Sequence, residues 1–179
     1  VRSLTYDPAN PDRIYLGTSA GRLFVSNDGG ASWTRFAQLG GHDYVLDHML
    51  IDPNGTMYVA GWSIENNESG DVFRSKDHGK TWQPLAGAHG KSIRAMAMSA
   101  SDPKVLAIGA LDGVYRSLDG GDSWQRISPP NHAEIKNIES LAIDPKDPNV
   151  IYAGTWHLPW KTSDGGATCH SIKQGVIDD

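Results

Sequence analysis

The chain has a single cysteine, Cys169, among its 179 residues, so no internal disulfide can form and packing must hold the fold. It has no apolar run near the roughly 18 residues that a membrane span requires, and no signal-like segment opens it. Val1 stands at the start of a strand-like segment where a Met would begin a chain, which leaves room for a leader or further repeats upstream. Lysines and arginines are scattered, never run together, and the formal net charge is −5. This disfavours a nucleic-acid partner held by counterion release. Helical periodicity is missing throughout. What is present is a composition 39% hydrophobic and a length sufficient for a sizeable core.

The chain also repeats itself, and the repeat orders everything else. Ser26-Asn27-Asp28-Gly29-Gly30-Ala31-Ser32-Trp33 recurs as Ser75-Lys76-Asp77-His78-Gly79-Lys80-Thr81-Trp82 and as Ser117-Leu118-Asp119-Gly120-Gly121-Asp122-Ser123-Trp124. A fourth copy, Thr162 to Cys169, keeps Asp164 but has lost its Ser and Trp. Successive aspartates (28 to 77, 77 to 119, 119 to 164) lie 49, 42 and 45 residues apart, a period that belongs with propeller blades or solenoid coils. A second element keeps the same beat: Asp7-Pro8-Ala9-Asn10-Pro11 returns as Asp144-Pro145-Lys146-Asp147-Pro148, with shorter forms at Asp52-Pro53 and Asp102-Pro103.

Between these markers, β-branched and aromatic residues cluster in short runs bounded by Gly, Pro, Asn and Asp, the signature of strands. In the first repeat the runs are Arg2 to Tyr6, Ile14 to Thr18, Arg22 to Ser26 and Trp33 to Ala37. Short links make neighbours antiparallel. The expected fold is all-β: a β-propeller of four-stranded antiparallel blades, four in this chain, at residues 1–43, 44–91, 92–137 and 138–179.

The S-x-D-x-G-x-S/T-W pattern resembles the Asp box, or BNR repeat, of sialidases, sortilin-type receptors, xyloglucan-degrading endoglucanases and photosystem II assembly-factor-like proteins. The Asp-Pro-x-x-Pro-x-x-Ile-Tyr-x-Gly-Thr repeats look most like the assembly-factor group and the xyloglucan-degrading enzymes. In such proteins the box is the hairpin between the third and fourth strands of a blade. The chemistry agrees, because an Asp accepts hydrogen bonds from its own turn and Gly supplies positive φ. Asp28, Asp77, Asp119 and Asp164 are therefore expected to be structural, with Trp33, Trp82 and Trp124 covering their hairpins. Cys169 offers less area than Trp, so the fourth hairpin is expected to be the weakest; free Cys commonly acts as a small hydrophobe.

Function is then expected on the loops at the other end of each blade. Trp62 and Trp156 each lie four residues after an aligned tyrosine, Tyr58 and Tyr152, where the other repeats hold Ser19 and Ala110. Their loops add Glu65, Asn66, Asn67, His157 and Trp160. Tryptophans beside amides suit a sugar or peptide groove, although rings packed under their own loops fit the same pattern. Alignment also places Arg2, Asp47, Arg94 and Glu139 at one position of the four innermost strands. Their signs alternate, as pairing between neighbouring blades requires. The sharper alternative makes Asp47 and Glu139 the carboxylates of a glycosidase, with Asp43 as a substitute, which needs two carboxyls about 5–10 Å apart. His42 and His48 sit about 20 Å apart on a strand, so no metal site is expected, and no cofactor either.

Repeats one and three resemble each other, as do two and four, as if a two-blade unit had been duplicated. Asp-box propellers usually close with more than four blades. Association into a homo-oligomer is therefore expected, with two chains completing an eight-bladed ring, or else membership of a longer propeller. A non-catalytic scaffold presenting loops to a protein partner or glycan is the expected function, with a xyloglucan-degrading hydrolase as the alternative. The absence of an Arg-Ile-Pro segment disfavours a sialidase. The resemblance slightly favours an extracytoplasmic or secreted location.

Overall fold

The computed structural model describes residues 1–176, and they form four separate antiparallel sheets of four strands, each wound in simple sequence order. The first sheet comprises β1 (Ser3–Asp7), β2 (Asn10–Gly17), β3 (Arg22–Ser26) and β4 (Thr34–Gln38). The second comprises β5 (Tyr44–Ile51), β6 (Met57–Ser63), β7 (Gly70–Ser75) and β8 (Gln83–Pro84). The third runs through β9 (Ile93–Met98), β10 (Leu106–Ala110), β11 (Gly113–Ser117) and β12 (Gln125–Arg126). The fourth is built from β13 (Ser140–Ile143), β14 (Ile151–Gly154), β15 (Pro159–Thr162) and β16 (His170–Ser171). These meanders are the blades of a β-propeller. The sole helical turn among the described residues is the 3-10 segment Ala86–Ala88.

Strand composition follows position in the blade. All five residues of β10 and six of the seven in β6 are buried, as befits strands covered on both faces, which read as continuous apolar runs. The outer strands β8, β12 and β16 shrink to two residues, which leaves little open edge for another chain to extend. The sheets gather into two compact units, Val1–Ile93 and Arg94–Asp179. In the first, Leu23, Leu46, Met57 and Val59 are 0–1% exposed beside Tyr15, Met49 and Phe73. Each such aliphatic side chain contributes about 1.5–3 kcal/mol when buried. In the second, Ile138, Ala107, Ile135, Ile151 and Trp160 occupy the core, with Cys169 packed against it.

One irregularity sets up the site. The register of β5 on β6 pairs Val45 with Trp62 and then His48 with Ala60, a bulge that sets Leu46 and Asp47 outside the ladder. Bulges re-aim side chains. Leu46 goes fully into the core, while Asp47 reaches the indole of Trp62. Gly61 is required beside this bulge, because a Cβ there would collide with the Val45 carbonyl oxygen.

Candidate functional site

The four Asp boxes make the same network. In the second, the Ser75 hydroxyl donates to Asp77 Oδ1 at 2.8 Å and accepts from the Gly79 N–H at 2.8 Å. The Thr81 N–H and hydroxyl donate to the two Asp77 oxygens at 2.8 and 2.5 Å. Asp28, Asp119 and Asp164 repeat the pattern with their own Ser or Thr partners. Donors aimed at the carboxylate favour its ionised form. The pKa falls to about 2 in all four, chiefly through the hydroxyl of Ser26 for Asp28, Thr81 for Asp77, Ser123 for Asp119 and Thr168 for Asp164. These oxygens are spent on their own hairpins. Trp82 and Trp124 donate from Nε1 to the carbonyls of Gly79 and Gly121 at 3.0 and 3.1 Å, whereas Trp33 is 37% exposed. Cys169, in the position of the missing Trp, is half-buried with its Sγ 3.7 Å from the Ile127 carbonyl oxygen. Burial pushes its thiol pKa up.

At the opposite end of the second blade, Asp47 holds two partners. Arg2 Nε donates to Oδ1 at 2.7 Å and Trp62 Nε1 to Oδ2 at 2.6 Å. Arg2 comes from β1's approach and Asp47 from β5, so this ion pair joins adjacent blades within the first unit. Asp47 raises the Arg2 pKa through the hydrogen bond first and Coulomb attraction second. The fourth blade repeats half the arrangement: Trp156 Nε1 donates to Glu139 Oε1 at 3.1 Å, with Trp156 75% exposed. Arg94, half-buried on β9, is not a free cation.

A second cluster flanks Trp62. Ser63 donates to Asp43, which lowers the Asp43 pKa. Tyr44 donates to one oxygen of Asp71, and the other lies 2.7 Å from His89 Nδ1. Burial is the main cause of the raised Tyr44 pKa, with the Asp71 bond second. No motif in the sequence singles out Asp71 or His89, which the fold places at the start of β7 and just after the 3-10 turn.

The loop residues divide. Asn66 is exposed and shapes its own loop, its N–H donating to Ser63 Oγ and its Oδ1 accepting from the Glu68 N–H. Asn67 is exposed yet engaged, and His157 is exposed beside Trp156. Trp160 lies elsewhere: it is a strand residue of β15, 8% exposed, with its ring 5.1 Å from that of His132. The expected loop position therefore gives way to a core one. Two residues before the box Ser or Thr, every repeat places an aromatic ring, Phe24, Phe73, Tyr115 and Trp160, and the last three of these are buried. Among the described residues, no cluster of three or more His, Cys, Asp or Glu side chains is placed to hold a metal ion, and no helix is long and apolar enough to cross a membrane.

The blades have known counterparts. A probable oligoxyloglucan-reducing end-specific xyloglucanase from Neosartorya fischeri is 27% identical over 146 residues, 71% of this chain and 17% of that protein. The structure of the GH74 xyloglucanase from Xanthomonas campestris superposes with a TM-score of 0.74 at 22% identity, covering 90% of this chain and 28% of the enzyme. The structure of YCF48 bound to D1 peptide matches with a TM-score of 0.66 at 17% identity, over 94% of this chain and 51% of that one. The chain thus spans less than a third of the xyloglucanases it matches. The family model of Sortilin-Vps10 (Sortilin, neurotensin receptor 3) matches residues 70–178. With that match covering more than half the chain, from β7 through the last three Asp boxes, the protein belongs to the Sortilin-Vps10 family of Asp-box β-propellers.

Proposed function

We propose that the protein is a non-catalytic propeller scaffold that binds a glycan or an extended protein segment through the loop end of its even-numbered blades. The observation that carries this reading is Trp156, 75% exposed and tethered at its indole N–H by Glu139. A large apolar ring held in place loses little freedom when a sugar or peptide stacks on it. Trp62, tethered by Asp47, provides the same element in the second blade, and Asn66, Asn67 and His157 supply polar edges. Arg2 and Arg94 serve at the inner strands, Arg2 by fixing Asp47. The names of the relatives fit both ligand classes, xyloglucan for one and a peptide for another.

Hydrolysis is the second reading, favoured by the xyloglucanase relatives. It would need a carboxyl with a raised pKa as general acid. The carboxylates that shift move the other way, Asp43 and the four box aspartates among them. Both oxygens of Asp47 are already occupied. Glycan and peptide arrays probed with wild type and with a Trp62→Ala/Trp156→Ala variant test the binding reading: wild type is retained and the folded variant is not. Release of sugar from xyloglucan by wild type, lost in Asp47→Asn, would replace it with hydrolysis. A mass measurement in solution tests the expected association, two chains completing one ring, against membership of a longer propeller.

A further inference from the structure

The Asp-box end of the first unit carries a groove lined by residues that the other repeats replace. It measures about 320 Å³ and is lined by Arg13, Tyr15, Phe36, His78 and Lys80, among others. None of the lining residues is acidic. The internal repeat acts as a control for each of them. The box Ser or Thr pairs across the sheet with Ile14, Met57, Leu106 and Ile151, so the residue just before each of these is equivalent. Arg13 stands there against Thr56, Val105 and Val150. After the box aspartate, His78 stands where the others have Gly29, Gly120 and Gly165. Lys80 stands against Ala31, Asp122 and Ala167. Three nitrogen-bearing side chains have therefore entered at three separate positions and meet in one groove.

A fourth departure opens the space. Just before the box Ser or Thr, Val25 is the short member of a set that otherwise reads Arg74, Arg116 and Lys161. In the second unit Arg116 extends to the Pro148 carbonyl at 2.9 Å and Asn149 Oδ1 at 3.0 Å, and closes over Gly165. Gly165 is the equivalent of His78. With Val25 in place of that arginine, the first blade extends no such side chain over His78.

His78 holds its position at a cost. Its φ is +57°, in the left-handed region that the equivalent glycines occupy at +67°, +71° and +70°. Glycine adopts that conformation freely and a side-chain-bearing residue does not, so propensity alone favours Gly at 78. Arg13 is fixed by neutral groups only: Nε donates to Asn27 Oδ1 at 2.8 Å, and the side chain reaches the Tyr15 hydroxyl. Asp7 is close enough to act on that hydroxyl but does not line the groove. The floor is aromatic, Tyr15 and Phe36 meeting edge to face with centroids 5.7 Å apart.

We propose that this groove binds a phosphate or sulfate monoester, with the tetrahedral oxyanion held by Arg13, His78 and Lys80 and the organic body laid against Tyr15 and Phe36. A guanidinium, an ammonium and an imidazole N–H converging on one point suit an anion with three outward oxygens. The site lies at the end of the blades away from Trp62, so it stands or falls apart from the function proposed above.

Calorimetric titration of the intact chain at low salt and about pH 7, where a phosphate monoester carries roughly −1.5 to −2 charges, tests it. The probes are phenyl phosphate, phenyl sulfate, inorganic phosphate and benzoate. Expected is saturable one-to-one binding of a phenyl ester, tighter than inorganic phosphate and tighter than benzoate by about tenfold or more. His78→Gly restores the residue the repeat uses elsewhere, so it folds at least as well as wild type. It and Arg13→Gln each weaken the ester by about tenfold or more. A purely structural His78 would change thermal stability and leave the titration alone. The proposal is overturned if neither ester saturates, if benzoate binds as tightly, or if both variants bind like wild type.

Discussion

Removing one hydroxyl, Ser75→Ala, probes how the boxes hold their hairpins. Ser75 is 1% exposed, and its Oγ is the acceptor for the Gly79 N–H at 2.8 Å in a buried environment. Alanine leaves that N–H without a partner where water does not reach it. An orphaned buried donor costs about 1–3 kcal/mol, and about 2 kcal/mol is expected here. For a domain of this size each kcal/mol lowers Tm by roughly 2–4 °C, so a drop of about 4–8 °C should appear by calorimetry or circular dichroism. Ser26→Ala should cost about half as much, because the bond to the Gly30 N–H is only part-buried. Ser75→Thr should be tolerated, since Thr162 makes the same bonds in the fourth box. A Ser75→Ala protein within about 0.5 kcal/mol of wild type, or a Ser75→Thr protein equally damaged, would refute the assignment of the box as a structural clasp.

Other outcomes follow from the same geometry. The box aspartates have folded-state pKa values of about 2, below the ordinary value near 3.9. Their stabilisation is complete above the ordinary value and is lost as pH falls through the folded one. Tm should therefore decline between about pH 4 and pH 2, and a flat profile there would contradict the network. Gly61→Ala should destabilise by about 3 kcal/mol in urea unfolding, because the new Cβ meets the Val45 carbonyl oxygen in backbone that cannot yield. Arg2→Gln should cost under about 1 kcal/mol, since the Arg2 side chain is 49% exposed and its pair is screened. It should nevertheless shift Trp62 fluorescence, because Asp47 is their shared partner.

Blade count and box chemistry were legible in the sequence because both are local. Ser75, Asp77, Gly79 and Thr81 satisfy one another within seven residues, and the motif therefore carries its own structure. Strand limits shifted by a residue or a few, as at β2, which starts at Asn10 rather than Ile14. The alternating charges foretold the Arg2–Asp47 pair. What the sequence did not carry was the third partner: the link from Trp62 to Asp47 depends on a bulge whose register is a property of the whole β5–β6 pair. Alignment of the repeats puts Trp160 at the end of the loop that begins with Trp156. Its cross-strand pairing with Ala153 puts it in the core instead. The Tyr44–Asp71–His89 chain joins three segments 18 to 27 residues apart, and no spacing rule announces it.

The most direct test of the account is retention on glycan and peptide arrays by the intact chain, alongside Trp156→Ala and Trp62→Ala, with free reducing ends measured on every glycan retained. The account predicts that wild type is held without new reducing ends and that each exchange weakens retention by about tenfold, as loss of a stacked aromatic anchor does. Retention indifferent to both tryptophans, or new reducing ends made by wild type, would contradict it.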